Sequence, residues 1–399
     1  MRLSCVGDYR VGARARLPRV LFDYIDGGSY AETTLTANVA DLQAIKLRQR
    51  VLRDVSKLNM AVELFGQSLS MPVILGPIGI AGMYARRGEA QAARAAKAAG
   101  VPFALSTVGV CPLEEVAAAA APPWLQLYMI RDRGFMAEML ARARNADCPA
   151  LLFTVDLPTP GARYRDARQG MNSETFSARL RQTLDGLAHP RWLWDVQMRG
   201  QPLVPGNIAP VAPDLKSLTQ FWGWIGRNFD PSVTWDDIAW VRERWSGPLI
   251  LKGVLDAEDA REAVRRGVDG LVVSNHGGRQ LDGVASGIAA LPAIANAVGG
   301  EITVLMDGGV RSGLDVLRAL ALGAKACLIG RAWAFALGAR GEAGVAHVLQ
   351  IIKSELRVAM SLTGCTDVRA ADASLVQGYS APQVPAPLKT RKIAAPTAS

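Results

Sequence analysis

The strongest constraint on this chain is a pattern that recurs eight times: a short, almost wholly apolar run followed by a stretch with helical periodicity. The runs lie at residues 71–77, 101–106, 124–129, 150–156, 248–253, 270–275, 303–308 and 326–331. Continuous apolar runs of this length read as parallel strands covered on both faces. Between them stand Ala-rich amphipathic stretches such as 88–100, 132–146, 257–267 and 312–323, several closing on Gly, the usual helix stop. Strand–helix alternation argues for an α/β fold, and eight units predict a closed (β/α)8 TIM barrel rather than an open sheet. With 399 residues, half of them hydrophobic, the chain can fill such a barrel and still carry insertions.

Three segments fall outside the repeat. Residues 1–70 read as N-terminal helices and a short hairpin. Residues 157–232 form a long insertion after the fourth strand, rich in Pro, Gly and Trp. Residues 381–399 read as a mobile Pro/Ala/Lys tail behind a single domain spanning 1–380.

The net charge of +9 suits an anionic substrate, a phosphate-bearing cofactor or an anionic membrane surface. With no run of five or six Lys/Arg, nucleic acid is not expected as a partner. Cys5, Cys111, Cys148, Cys327 and Cys365 form no C-x-x-C pair, which fits a reducing compartment. The first twenty residues lack the apolar core of a secretory signal, and no apolar run is long enough for a membrane span. Three scattered histidines and no Cys/His cluster predict no metal site.

Chemistry in a barrel collects at the C-terminal ends of the strands, and here those ends are polar: Gln126 and Tyr128, Thr154 and Asp156, Lys252, Ser274 with Asn275 and His276, Asp307-Gly308-Gly309, and Gly330-Arg331. A single polar strand end is as easily a satisfied core group, but six together are hard to explain as packing. The glycines and guanidinium groups of Asp307–Arg311 and Gly330–Arg331 suit a phosphate. In S-N-H-G-G-R-Q-L-D-G, at 274–283, His276 is the one histidine at a strand end, and Arg279 offers a planar fork for a carboxylate. Asp156, on another strand end, could orient the imidazole and stabilise its cation. His189 and His347 read as surface or packing residues.

These residues carry a resemblance. S-N-H-G-G-R-Q-L-D resembles the signature of the FMN-dependent 2-hydroxy-acid dehydrogenase and oxidase family, and the likeness extends over about residues 1–380. It includes L-P-R-V-L-F-D-Y-I-D-G-G (17–28), M-P-V-I-L-G-P-I-G (71–79), L-S-T-V (105–108), Q-L-Y (126–128) and T-V-D (154–156). M-Y-A-R-R-G-E (83–89), T-P-G-A-R-Y-R-D (159–166), N-F-D-P-S (228–232) and S-L-V-Q-G (374–378) resemble the respiratory L-lactate dehydrogenase branch.

The resemblance implies FMN as cofactor and oxidation of L-lactate, or a similar small L-2-hydroxy acid, to the 2-oxo acid. It implies that His276 is the active-site base, taking either the α-proton or the hydroxyl proton, with Asp156 as its partner. Arg163 and Arg279 would hold the substrate carboxylate with Tyr24, and Tyr128 would contact the hydroxyl. Lys252 would sit at the N1–C2=O edge of the flavin. Ser106, Gln126, Thr154, Ser274 and the backbone of Pro77, Ile78 and Gly79 would line the ring system. Asp307, Gly308, Gly309, Arg311, Gly330 and Arg331 would hold the phosphate end. Family oxidases usually carry Ala where Gly79 stands, so Gly79 points to a dehydrogenase that passes electrons to a quinone or another respiratory acceptor. An oxidase using O2 is the alternative. An FMN-dependent isomerase is a further one, but it has no use for His276 with two arginines.

The insertion carries a location hypothesis. From 179 to 227 it holds Arg179, Arg181, Arg191, Arg199, Lys216 and Arg227 against Asp185, Asp195 and Asp214, with Trp192, Trp194, Phe221, Trp222 and Trp224 beside them. Trp among basic residues suits a lipid headgroup boundary, and the family's membrane-associated dehydrogenases carry an insertion here. The expectation is a peripheral enzyme on the cytoplasmic face of the inner membrane and a homo-oligomer, with four subunits favoured. The bland reading is that the tryptophans pack the insertion onto the barrel.

Overall fold

The computed structural model describes residues 3–171, 175–215 and 218–378. The predicted tail at 381–399 and Lys216 lie outside them. Three helices, α1 (Val6–Arg16), α2 (Arg19–Asp26) and α3 (Thr33–Ala44), precede an antiparallel hairpin of β1 (Val62–Leu64) and β2 (Gln67–Leu69). Eight strands follow: β3 (Val73–Leu75), β4 (Ala104–Ser106), β5 (Trp124–Tyr128), β6 (Leu151–Thr154), β7 (Leu249–Val254), β8 (Gly270–Val273), β9 (Thr303–Met306) and β10 (Ala326–Ile329). They form one sheet in the order β3-β10-β9-β8-β7-β6-β5-β4, every pairing parallel. A parallel bridge from Leu75 to Phe103 joins its two ends, so the sheet closes into the (β/α)8 barrel. Seven of the eight strands fall inside one of the apolar runs, and β7 overruns its own by one residue, Val254.

The barrel helices are α4 (Gly88–Ala99), α5 (Leu113–Ala119), α6 (Arg133–Asn145), α11 (Asp237–Arg242), α12 (Ala257–Arg265), α13 (Gly287–Val298), α14 (Gly313–Ala321) and α15 (Arg331–Thr363), the last kinked at Arg340–Gly341. Local chemistry sets their ends. The Asp132 and Ser312 side chains accept from the backbone N–H groups of Phe135 and Asp315 at the starts of α6 and α14, and α4 stops at Gly100 with φ 67°. Beyond Gly88 and Glu89 in its first turn, the buried positions of α4 are alanines, 90, 92, 93, 95 and 96, so the helix can lie close against its neighbours.

Between β6 and α11 the insertion holds α7 (Tyr164–Arg168), α8 (Phe176–Leu187), α9 (Pro190–Trp192) running into a π-helical turn (Leu193–Met198), and α10 (Leu218–Asn228). It is two regions, not the single surface element its composition suggested. Phe221, Ile225 and Phe229, four residues apart along α10 and just beyond it, are all buried. An antiparallel bridge between Ile130 and Phe229 ties this end back to the barrel beyond β5. The Trp192 indole donates to the Met83 carbonyl at 2.8 Å. The packing reading therefore holds for Trp192, Phe221 and Trp222, while Trp194 is 61% exposed. Among the described residues, no helix is long and apolar enough to cross a membrane.

Candidate active site

The glycine-rich turn after β8 sets the site. His276, Gly277 and Gly278 have φ of 58°, 65° and 73°, three left-handed residues in succession. A side chain at Gly278 would put Cβ 2.6 Å from the Leu35 backbone nitrogen, so the turn sits directly on α3. Asn38 of α3 and Asn275 exchange two side-chain hydrogen bonds of 2.9 Å and hold it there.

The turn presents His276 to Asp156, 120 residues away: Nδ1 and Oδ1 are 2.9 Å apart. Burial pulls the His276 imidazole below its usual value, and Lys252 adds to this against the pull of Asp156. Burial works against ionising Asp156, but His276 and Lys252 outweigh it and hold the carboxyl below its usual value. The pair is thus a neutral imidazole oriented by a carboxylate, with Nε2 left for a substrate.

Arg163, at the start of α7, and Arg279 meet over Tyr24: their guanidinium carbons lie 5.7 and 4.6 Å from the centre of its ring. Arg279 donates to the Tyr24 and Gly27 carbonyls at 2.6 and 3.0 Å. Arg163 has Asp166 at 3.6 Å, and its Nε has no partner. Burial, and then Arg279, lowers the Arg163 guanidinium below its ordinary value. Tyr128 packs on Phe229 at 4.9 Å between ring centres, and burial pushes its phenol well up, so it remains a hydrogen-bond donor.

Lys252 is buried, yet Asp307 at 2.9 Å outweighs the cost of burial and keeps it charged; it also donates to Ser274 Oγ at 3.0 Å. Asp307 Oδ1 is buried with no partner. Arg311 is pulled down to about 10 by burial, and among the described residues its guanidinium donates only to its neighbour's carbonyl, that of Val310. Arg331 donates to the carbonyls of Ile25, Gly27 and Gly277, and burial together with Arg279 and Arg311 holds it well below its ordinary value. Arg279, Arg311 and Arg331 have no carboxylate partner among the described residues, an arrangement that favours anionic ligands.

These groups border one cavity of about 1120 Å3, which also takes in Pro77, Ile78, Gly79, Gly308, Gly309 and Gly330. Asp156, Ser106, Gln126, Thr154 and Ser274 do not border it: they stand one layer further in. Ser106 Oγ donates to Gln126 Oε1 at 2.9 Å and Gln126 Nε2 to Thr154 Oγ1 at 3.1 Å, linking β4, β5 and β6. The residues fit FMN: cations without counter-charges for a phosphate, an orphan carboxylate oxygen for a sugar-like hydroxyl, and apolar backbone at Pro77–Gly79 for a flat ring.

The sequence reading missed four contributors. Asp166 balances the two arginines, and burial raises its carboxyl despite them; the Arg163/Asp166 spacing on one helical turn was the available signal. Trp222, Ile225 and Phe229 close the cavity from the insertion. Trp222 lies 5.4 Å from the Tyr24 ring and 6.0 Å from the Arg163 guanidinium.

A basic and apolar cavity at the C-terminal rim of an eightfold barrel, with an imidazole–carboxylate pair and two convergent arginines, defines a flavin-dependent oxidoreductase of carboxylate substrates. Residues 13–378 match the model of the FMN-dependent dehydrogenase family, and the chain belongs to that family. It is an FMN-dependent L-2-hydroxy-acid oxidoreductase. It is 59% identical over 365 residues to an L-lactate dehydrogenase of Xanthomonas oryzae pv. oryzae (strain PXO99A), covering 91% of this chain and 94% of the relative. To an L-lactate dehydrogenase of Caulobacter sp. (strain K31) it is 58% identical over 377 residues, 94% and 99% of the two chains. Among solved structures, the monotopic membrane protein (S)-mandelate dehydrogenase superposes with TM-score 0.89 at 35% identity, over 95% of this chain and all of that one. A mandelate oxidase with (S)-4-hydroxymandelic acid superposes with TM-score 0.81 at 37% identity, over 94% and 98%.

Proposed function

We propose that this chain oxidises L-lactate to pyruvate and passes the electrons to a quinone while resting on the membrane surface. The observation that carries the substrate reading is the meeting of Arg163 and Arg279 over Tyr24, beside the His276–Asp156 pair. Bound FMN supplies a two-electron acceptor. Arg163 and Arg279 clamp the carboxylate, and each guanidinium can donate in a planar fork. His276 Nε2 takes a proton from the substrate, and Asp156 stabilises the imidazolium that results. Tyr128, held protonated, donates to the substrate oxygen. Lys252 places a positive charge on the cavity wall, where it would favour the electron-rich state of a bound flavin. Arg311 and Arg331, with the backbone of Gly308, Gly309 and Gly330, would hold the phosphate. A carboxylate repels phosphate, so Asp307 serves a hydroxyl of the cofactor's chain instead, through Oδ1.

With the carboxylate, the hydroxyl and the α-hydrogen each given a place, one position is left for the side chain. Tyr24, Trp222, Ile225 and Val108 border the cavity, and this bulk favours the methyl group of lactate over an aryl group. The test is anaerobic bleaching of the visible flavin absorbance by L-lactate, D-lactate and (S)-mandelate. L-lactate alone should bleach it fast; equal rates with both lactates would sink the reading.

The membrane reading rests on α8. Phe176, Leu180, Leu184 and Leu187 stand exposed on one helix, with Trp194 and Met198 exposed just beyond. An apolar stripe of this kind suits contact with lipid without spanning it. The membrane protein nature of the (S)-mandelate dehydrogenase neighbour supports it. A homo-oligomer, with four subunits, and the single domain ending near residue 380 complete the proposal.

A further inference from the structure

Trp222 borders two cavities. One holds His276 and the arginines. The other is an open cleft whose described lining lies in the insertion, on the segment from Val211 to Leu215 and on α10. The Trp222 indole is therefore common to the walls of the substrate cavity and of a second cleft, and its Nε1–H is buried with no acceptor. A buried donor without a partner needs an explanation, and a ligand that lets the indole turn would give it one.

We propose that this second cleft binds the headgroup of the quinone acceptor. The inference rests on the reading of the chain as an L-lactate dehydrogenase with a membrane acceptor, and it assigns that acceptor a place. The walls are those a flat, neutral, carbonyl-bearing ring requires. Val211, Leu215 and Trp224 give apolar and aromatic surface. Arg227 lies over Gly223, where an added Cβ would come 3.3 Å from its Nη1, and it has no carboxylate partner among the described residues. It is a ready donor to a carbonyl oxygen. Asp214 also borders the cleft and disfavours an anion there. The balance closes without another reagent. L-lactate loses two electrons and two protons as its α-C–H and O–H bonds break and C=O forms. The quinone takes the same two electrons and two protons as its two carbonyls become hydroxyls.

The variants Trp224→Ala and Arg227→Gln touch this cleft and not the substrate cavity. Calorimetry would measure the affinity of the oxidised holoenzyme for a short-chain benzoquinone. Stopped-flow would follow reduction by L-lactate, then reoxidation by that quinone or by ferricyanide. Each variant should lose about tenfold in quinone affinity and in reoxidation by quinone, with lactate reduction and ferricyanide reoxidation unchanged. Unchanged quinone affinity in both variants, or a wild-type holoenzyme that binds no quinone, overturns the proposal. A wild-type enzyme that L-lactate fails to reduce, but whose dithionite-reduced form reacts with quinone in a manner sensitive to both substitutions, overturns the substrate reading and supports the cleft.

Discussion

At the barrel rim the polar residues of the cavity sit on or just past strands that are buried along their length; Tyr128, Lys252 and His276 are examples. In the insertion the chain turns through short helices and a π-helical turn, and the same few dozen residues face two ways. Ile225 and Phe229 look into the cavity, whereas Phe176, at 81% exposure, and Leu184 look out. At the rim each strand end is held by a parallel neighbour on either side, the kind of support that oriented catalysis requires. The insertion has no such lattice, and its roles are those that tolerate looser placement: closing a cavity, touching a surface, admitting an acceptor.

Substitutions at the two regions should separate cleanly, and the largest effect belongs to the rim. His276→Gln should keep FMN bound yet slow its anaerobic reduction by L-lactate by at least about 10²–10⁴-fold, the worth of a positioned base. Near-normal reduction would remove His276 from the mechanism. The anion clamp comes next. Arg163→Lys and Arg279→Lys keep the charge and lose the fork, so oxalate binding followed by the flavin spectrum should weaken by about 1.5–3 kcal/mol. If neither weakens it, the carboxylate is held elsewhere.

A third expectation is set by pH. The base works as neutral imidazole, and burial lowers its pKa from the ordinary 6.5. The reduction rate should therefore be flat at neutral pH and fall only once pH drops through a value below 6.5, by about tenfold per unit. An inflection above 6.5 in the rate of flavin reduction would contradict this sign.

The smallest effect belongs to the outward face of the insertion. Leu180→Ser with Leu184→Ser should weaken co-sedimentation with anionic vesicles by about fivefold for each leucine, taking roughly 1 kcal/mol per partly buried side chain, and leave flavin reduction alone. If vesicle binding is unchanged, or reduction falls with it, the outward and inward faces are not separate devices. Replacing the whole insertion cannot make this distinction, because Trp222, Ile225 and Phe229 border the cavity.

Much of this was legible in the sequence because it is written in local period. Apolar runs marked the strands, and Asp132, Ser312 and Gly100 marked helix ends. The Phe221/Ile225/Phe229 spacing was legible too, as an inward face on α10, but the composition of tryptophan among arginines drew attention the other way. Composition records which residues are present and carries no sidedness. The carboxyl of Asp166 was passed over because an Asp three residues from an Arg is commonplace on helix surfaces, and only burial makes it matter here.

The sequence by itself determined the eightfold alternation, the positions of the polar strand ends and the family these imply, since each depends on residues within one strand or turn of one another. Tertiary structure decided what meets. It brought Asp156 to His276 across 120 residues. It stacked Arg163 and Arg279 on Tyr24, and it turned Arg331 onto three backbone carbonyls while leaving Arg311 without an ion-pair partner among the described residues. It also assigned each helix of the insertion its buried side. Period says that a helix has two faces, but only the surface it packs against says which one is covered.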